Sequence, residues 1–274
     1  MEHRDGRTAA VTLAERSYLP MLPGTRRTTF VFVHPVGGSV SGYVDVLAAL
    51  PPDTPCVGLR ARGLGPAGEP HRNVPAMARR YLAELGAHHA PEDLVLTGYS
   101  FGGLVALEMA AQLEAVGRRP AGTVLLGTWF PLQDVPRVEH VATFRGLVSA
   151  IYRIPRELLE LEGLSDAAMV AAAAAAARDC PTLPAEYRSA DLNRLFGVLA
   201  ANLRMTWAYR VPHYGGPVHL VRPERPGPRD DPGPWSERCT AGVVTHDVGG
   251  EHNSLMTGAH GERIADVLAT CWPD

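Results

Sequence analysis

The sequence predicts an α/β fold: a mostly parallel central sheet covered by helices on both faces and interrupted once by a long helical insertion. Three observations carry this. Short apolar runs alternate with stretches of helical periodicity through the first half of the chain. The alternation lapses between residues of about 135 and 210, a span too long for an ordinary strand-to-strand connection, and then resumes. One of the apolar runs ends in a glycine-flanked serine that leads into a helical pattern.

Taken in order, the first strong strand is Thr29–Val33, which runs into His34-Pro35-Val36-Gly37-Gly38-Ser39. A helical stretch near 42–50, a strand at Pro55–Leu59 and a Gly/Pro-rich loop at Arg60–His71 follow. Val74–His88 reads as a helix with Met77, Tyr81, Leu82 and Leu85 on one face. Asp93–Leu96 looks like a buried strand, and Gly103–Ala110 has the periodicity of an amphipathic helix. A further strand, Gly122–Leu126, ends at Gly127-Thr128-Trp129. The insertion contains the alanine run Ala171–Ala177 and a helix over Asp191–Tyr209 carrying Leu192, Leu195, Leu199, Leu203 and Trp207. Strands resume at Pro217–Val221 and Gly242–His246. No internal repeat or low-complexity tail breaks this pattern, so residues 1–274 read as one domain with an insertion.

A chain of 274 residues, 46% of them hydrophobic, can bury one sizeable core. The net charge of −3 and isoelectric point near 6.4 give no reason to expect nucleic acid or an anionic membrane as partner. All 26 basic residues are arginine, which with the abundant Ala, Gly and Pro reflects GC-rich codon usage rather than chemistry. Cys56, Cys180, Cys239 and Cys271 are far apart and suit a reduced, cytoplasmic protein better than a disulfide framework. None of the 11 histidines stands in metal-ligand spacing beside a carboxylate, so no metal is expected. Met1–Arg7 is polar and lacks a signal-peptide core, and no apolar run reaches membrane-spanning length.

The chemistry is concentrated at Gly98-Tyr99-Ser100-Phe101-Gly102-Gly103. A serine on so sharp a strand-to-helix turn needs small neighbours, and its hydroxyl is held out above the sheet. A hydroxyl is a weak nucleophile and needs a histidine base. In the α/β-hydrolase architecture that this element implies, the histidine sits on a loop after the last strand. His252, in Gly249-Gly250-Glu251-His252-Asn253-Ser254, fits. His34, His213, His219 and His246 read as structural residues at strand ends or within strands. The oxyanion hole should use the backbone N–H of Phe101 and that of Val36, with Gly37-Gly38 allowing close approach. The insertion starts at a strand's carboxyl end, where open α/β sheets bind ligands, and so reads as a lid over the serine.

Together with Val57-Gly58-Leu59-Arg60-Ala61-Arg62-Gly63-Leu64, these segments occur in order across almost the whole chain. They resemble the thioesterase domains that terminate nonribosomal peptide synthetases and some polyketide synthases. The resemblance implies that Ser100 accepts an acyl or peptidyl chain from the phosphopantetheine arm of a carrier protein, with no cofactor bound by the domain itself. Water, or an internal or external nucleophile, then releases the chain. The length fits one domain of a larger synthetase or a free-standing relative.

One departure matters. Relatives place the triad aspartate in a Leu-Leu-Asp context after the nucleophile helix, where this chain has Leu125-Leu126-Gly127. Asp231 in the loop after the next sheet strand is the substitute taken here, with Asp230, Glu224 and Asp134 as alternatives and an acid-free dyad as another. Two competing readings follow: an acyltransferase that passes the chain to another carrier, amine or alcohol, and a non-catalytic binding module.

Overall fold

The computed structural model describes residues 16–66, 68–133, 135–188 and 190–272. In chain order its elements are β1 (Tyr18–Leu22), β2 (Thr29–Val33), α1 (Val44–Ala49), β3 (Cys56–Leu59), α2 (Val74–Leu85), β4 (Leu94–Tyr99), α3 (Phe101–Ala115) and β5 (Gly122–Leu126). After them come α4 (Arg137–Tyr152), α5 (Asp166–Arg178), α6 (Leu192–Ala208), β6 (Val218–Pro223), the single turn α7 (Gly233–Ser236), β7 (Val243–Val248) and α8 (Gly258–Cys271).

The strands form one seven-stranded sheet in the order β1-β3-β2-β4-β5-β6-β7, with only β1 antiparallel. This is the α/β-hydrolase fold. β1 escapes sequence reading because Pro20 interrupts it, and a proline is tolerated in a strand at the sheet edge, where a ladder donor can be spared. β2 shows how one strand serves two layers. Phe30 and Phe32 pack with α1 and α8, while Val31 and Val33 pack with α2 and α3.

Two expectations are corrected. α3 is apolar all round rather than amphipathic, being buried from Phe101 through Ala110, because Met205 and Tyr209 from the end of the insertion cover its outer side. Its Glu108 accepts hydrogen bonds from Tyr209 Oη at 2.8 Å and Gln112 Nε2 at 2.8 Å, which answers its burial. His213, in turn, lies exposed in the loop before β6 rather than in a strand.

The insertion has a core of its own. Phe144 and Val148 of α4, Met169, Ala173, Ala174 and Ala177 of α5, and Phe196 and Leu199 of α6 are buried together. Three residues of the alanine run are thus core, where small side chains let α5 lie close against α6. Ser165 and Asp191 cap the amino ends of α5 and α6 through their side-chain oxygens.

Candidate active site

β4 ends and α3 begins at Ser100, which has φ 55° and ψ −120°. Among the described residues only Ser100 and Arg153 adopt a positive φ without being glycine. A non-glycine residue in this region is strained and persists only when its surroundings enforce it. They do. A Cβ on Gly98 would fall 2.1 Å from the Gly102 backbone, one on Gly102 2.4 Å from Val33 O, and one on Gly103 2.0 Å from Thr128 Oγ1. The Ser100 N–H donates to Leu126 O at 2.9 Å, which ties the turn to β5. A serine preceding a helix ordinarily caps it through its hydroxyl, but the Ser100 side chain caps nothing. The hydroxyl is therefore free for another task.

The loop after β2 reaches the same end of the sheet. The peptide between Pro35 and Val36 is held at its carbonyl end by two donors, His34 Nδ1 at 2.8 Å and Gly38 N at 2.9 Å. A carbonyl only accepts, so the His34 proton sits on Nδ1. Burial pushes the His34 pKa down to about 4, which keeps the ring neutral. Its Nε2 lies 2.8 Å from Tyr81 Oη. Fixing this peptide fixes the direction of the Val36 N–H at its other end. The next peptide is held from the insertion: Asn202 Nδ2 of α6 donates to Val36 O at 2.9 Å. The Phe101 N–H is the first amide of α3, with no carbonyl one turn back to bond.

His252 follows β7 through Gly249 and Gly250, the latter at φ 87°. Its ring lies between two aromatic neighbours, with centroids 4.1 Å from Trp129 and 5.2 Å from Tyr99. Tyr99 Oη donates to His252 O at 2.5 Å, so the residue beside the serine also holds the backbone of the histidine. Burial lowers the His252 pKa to about 4, against a smaller upward pull from Asp230. Among the described residues no hydrogen bond joins the imidazole to Ser100 Oγ, and His252 Nδ1 is buried without a partner.

No carboxylate reaches that nitrogen among the described residues, and Asp231, the expected acid, is engaged elsewhere. Asp231 is exposed, and its Oδ1 accepts from Gly233 N at 2.9 Å, closing its own turn. Glu224 is also exposed. Asp230 comes nearer in effect: its Oδ1 accepts from Trp129 Nε1 at 2.9 Å, and Trp129 in turn stacks on the imidazole. Asp134 lies outside the described residues. At Gly127 an added Cβ would stand 3.4 Å from His252 Nδ1. The position where relatives carry aspartate thus faces the imidazole nitrogen that an acid would hold, and here it carries no side chain.

A family model described as "Thioesterase domain" matches residues 28–271. The chain belongs to this thioesterase-domain family. Its sequence is 24% identical over 257 residues to a probable non-canonical nonribosomal peptide synthetase, CymA, of Salinispora arenicola, covering 91% of this chain. The thioesterase domain spans only 3% of that synthetase's length. Among solved structures, the Vlm2 thioesterase domain carrying a bound dodecadepsipeptide superposes with TM-score 0.73 at 20% identity, covering 94% of this chain and 98% of the other. The NocB thioesterase domain, in covalent complex with a fluorophosphonate nocardicin G analogue, gives TM-score 0.71 at 22% identity over 93% and 99%. At these identities the superpositions bear on the fold.

Three residues of this site have no signature of their own in the sequence, and a fourth, His34, lies in a segment that the sequence does single out. Tyr99 and Trp129 stack on the His252 ring, His34 orients the Pro35–Val36 peptide, and Asn202 orients the next one. The identity of Tyr99, between Gly98 and Ser100, is open in the Gly-x-Ser-x-Gly pattern. Asn202 is about a hundred residues from the serine, and only the packing of α6 over α3 brings it there.

Proposed function

We propose that this thioesterase domain releases acyl or peptidyl chains from a carrier protein in nonribosomal peptide or polyketide synthesis, through an acyl-enzyme on Ser100 and without a triad acid. The observation that carries the proposal is the enforced turn at Ser100, whose hydroxyl is left unbonded beside the histidine-bearing Tyr99. In the loading step Ser100 Oγ attacks the thioester carbonyl while its proton passes to His252 Nε2. The developing oxyanion accepts hydrogen bonds from the N–H groups of Val36 and Phe101. The carbon–sulfur bond then breaks and the pantetheine thiolate takes the proton from the imidazolium. Deacylation reverses these roles, with water, an internal hydroxyl or amine, or an external acceptor attacking the ester.

The missing acid weights these outcomes. To act as a base at Nε2 the imidazole must carry its proton on Nδ1, and nothing holds it there. Loss of that tautomer control costs about 10⁴-fold in a serine protease. A thioester is a more reactive acyl donor than an amide, so loading tolerates a weakened base better than attack by water on the resulting ester does. This favours release to a positioned nucleophile, by cyclisation or transfer, over hydrolysis. The test is incubation with acyl- and peptidyl-pantetheine thioesters followed by intact-protein mass and product analysis. A Ser100-dependent adduct that discharges faster to an added amine or to a chain-internal hydroxyl than to water supports the proposal. Fast hydrolysis overturns the acid-free account, and a protein that never acylates is a binding module.

A further inference from the structure

A second cluster of chemistry-bearing side chains lies away from Ser100. His219, near the amino end of β6, His246, on the edge strand β7, and Cys271, the last residue of α8, converge so that their ligand atoms all lie within 4.8 Å of one another. His219 Nδ1 is 2.9 Å from His246 Nε2 and 3.5 Å from Cys271 Sγ. The two imidazoles meet edge to edge and close to coplanar, with centroids 5.1 Å apart and planes 9° from parallel.

One hydrogen bond accounts for the approach of the two rings but not for the Cys271 thiol, which lies 3.5 Å from the same nitrogen. A ring nitrogen has one in-plane site, as either donor or acceptor, and here two groups converge on the same nitrogen. A cation at the point of convergence would satisfy all three. Tetrahedral zinc with ordinary bond lengths puts N···N near about 3.3 Å and N···S near about 3.6 Å. The two His219 contacts reach those values by shifts of a few tenths of an ångström, and the His246–Cys271 pair lies within 4.8 Å. The donor set, two imidazoles and a thiol, suits a borderline-soft ion and not magnesium or calcium. Trp272 covers one flank, its ring 4.8 Å from His219 and its Nε1 donating to Ala121 O at 3.1 Å. All three candidate ligands are half-buried, which leaves one side open to solvent.

We propose that His219 Nδ1, His246 Nε2 and Cys271 Sγ bind one Zn²⁺ ion, with a water molecule as fourth ligand, at a site separate from the Ser100 centre. Binding forms the Zn–S bond as the thiol gives up its proton to the buffer; no electron transfer is involved. The ion would staple α8 to the last two strands and so secure the exposed edge strand β7.

The test uses the full chain, freed of metal with a chelator, and titrated with ZnCl₂ and with CoCl₂ as a spectroscopic substitute. The expected result is one ion per chain, a thiolate-to-cobalt charge-transfer band, release of about one proton per ion and a raised unfolding temperature with Zn²⁺. Cys271→Ser should abolish the band. His246→Gln should weaken binding by at least about tenfold, since even outer-shell changes cost 10- to 100-fold. Labelling of Ser100 by a fluorophosphonate, measured on the metal-free variants, confirms that they are folded. Absence of the band, a band that survives Cys271→Ser, or an affinity unchanged in a folded His246→Gln overturns the proposal. A site that accepts copper and refuses Zn²⁺ and Co²⁺ overturns the choice of ion.

Discussion

Around Ser100 nearly every freedom is closed. Gly98, Gly102 and Gly103 have backbone or side-chain atoms where a Cβ would stand, the serine is forced to φ 55°, and its N–H is tied to Leu126 O. Around His252 the constraint is looser and of another kind: two aromatic faces and one backbone hydrogen bond hold the residue, while Nδ1 is orphaned beside the bare backbone of Gly127. The proposed nucleophile is positioned by sterics, the proposed base by stacking. Sterics fix where an atom is, but stacking leaves the ring's tautomer undetermined. The two halves of the site should therefore respond differently to mutation.

The largest effect falls on the rigid half. Ser100→Ala should abolish covalent labelling by a serine-reactive fluorophosphonate, and labelling retained at the wild-type level would place the nucleophile elsewhere. Next, His252→Ala should slow acyl-enzyme formation by at least about 10³-fold, as when a triad's base is removed. A loss smaller than tenfold would mean that the loosely held ring is not the base at all.

Gly127→Asp sharpens the contrast. Aspartate tolerates the positive φ of 50° better than most residues, and the Cβ clash of 2.9 Å involves only the end of the Leu255 side chain. The new carboxylate would face Nδ1, and hydrolytic turnover should rise by more than about tenfold, a part of the 10⁴-fold worth of the acid in proteases. The pH profile supplies an independent readout. With the His252 pKa lowered by burial to about 4, the wild-type imidazole is a free base at every pH above that, so acylation should stay level from neutrality down and fall only towards pH 4. A carboxylate beside the ring favours its protonated form, so in Gly127→Asp this acid limb should move to higher pH. Asp231→Asn and Glu224→Gln should leave turnover within about twofold, as for surface substitutions. A large loss in Asp231→Asn would restore that residue as the acid in the working complex.

Smaller still is the effect of the stack. Trp129→Ala should lower turnover by about three- to tenfold, the worth of one aromatic pair at 0.5–1.5 kcal/mol, without changing fluorophosphonate access to Ser100. The smallest effect concerns the insertion, which is read as a lid. Its helices pack a separate core, and α6 reaches the loop after β2 through Asn202. Amides of α4 and α5 should exchange faster than those of β4 and β5. Equal protection would make the insertion a fixed second layer.

Much of this was legible in the residues alone, for a physical reason. Strand and helix periodicity, the glycines at 98 and 102 and the order of Ser100 before His252 are local patterns, written in neighbouring residues because the backbone constraints they satisfy are local. The absence of aspartate at 127 was equally plain. Whether a loop carboxylate reaches His252 in its stead was not, because such a carboxylate is oriented by contacts of its own: exposed Asp231 accepts from Gly233 N, and half-buried Asp230 from Trp129 Nε1. β1 was hidden by Pro20, whose tolerance depends on an edge position that only the assembled sheet defines. Packing across sequence distance likewise decided the rest. It brought Asn202 to Val36, stacked Trp129 on His252 and drew His219, His246 and Cys271 together from two strands and a helix, contacts for which no short-range pattern exists.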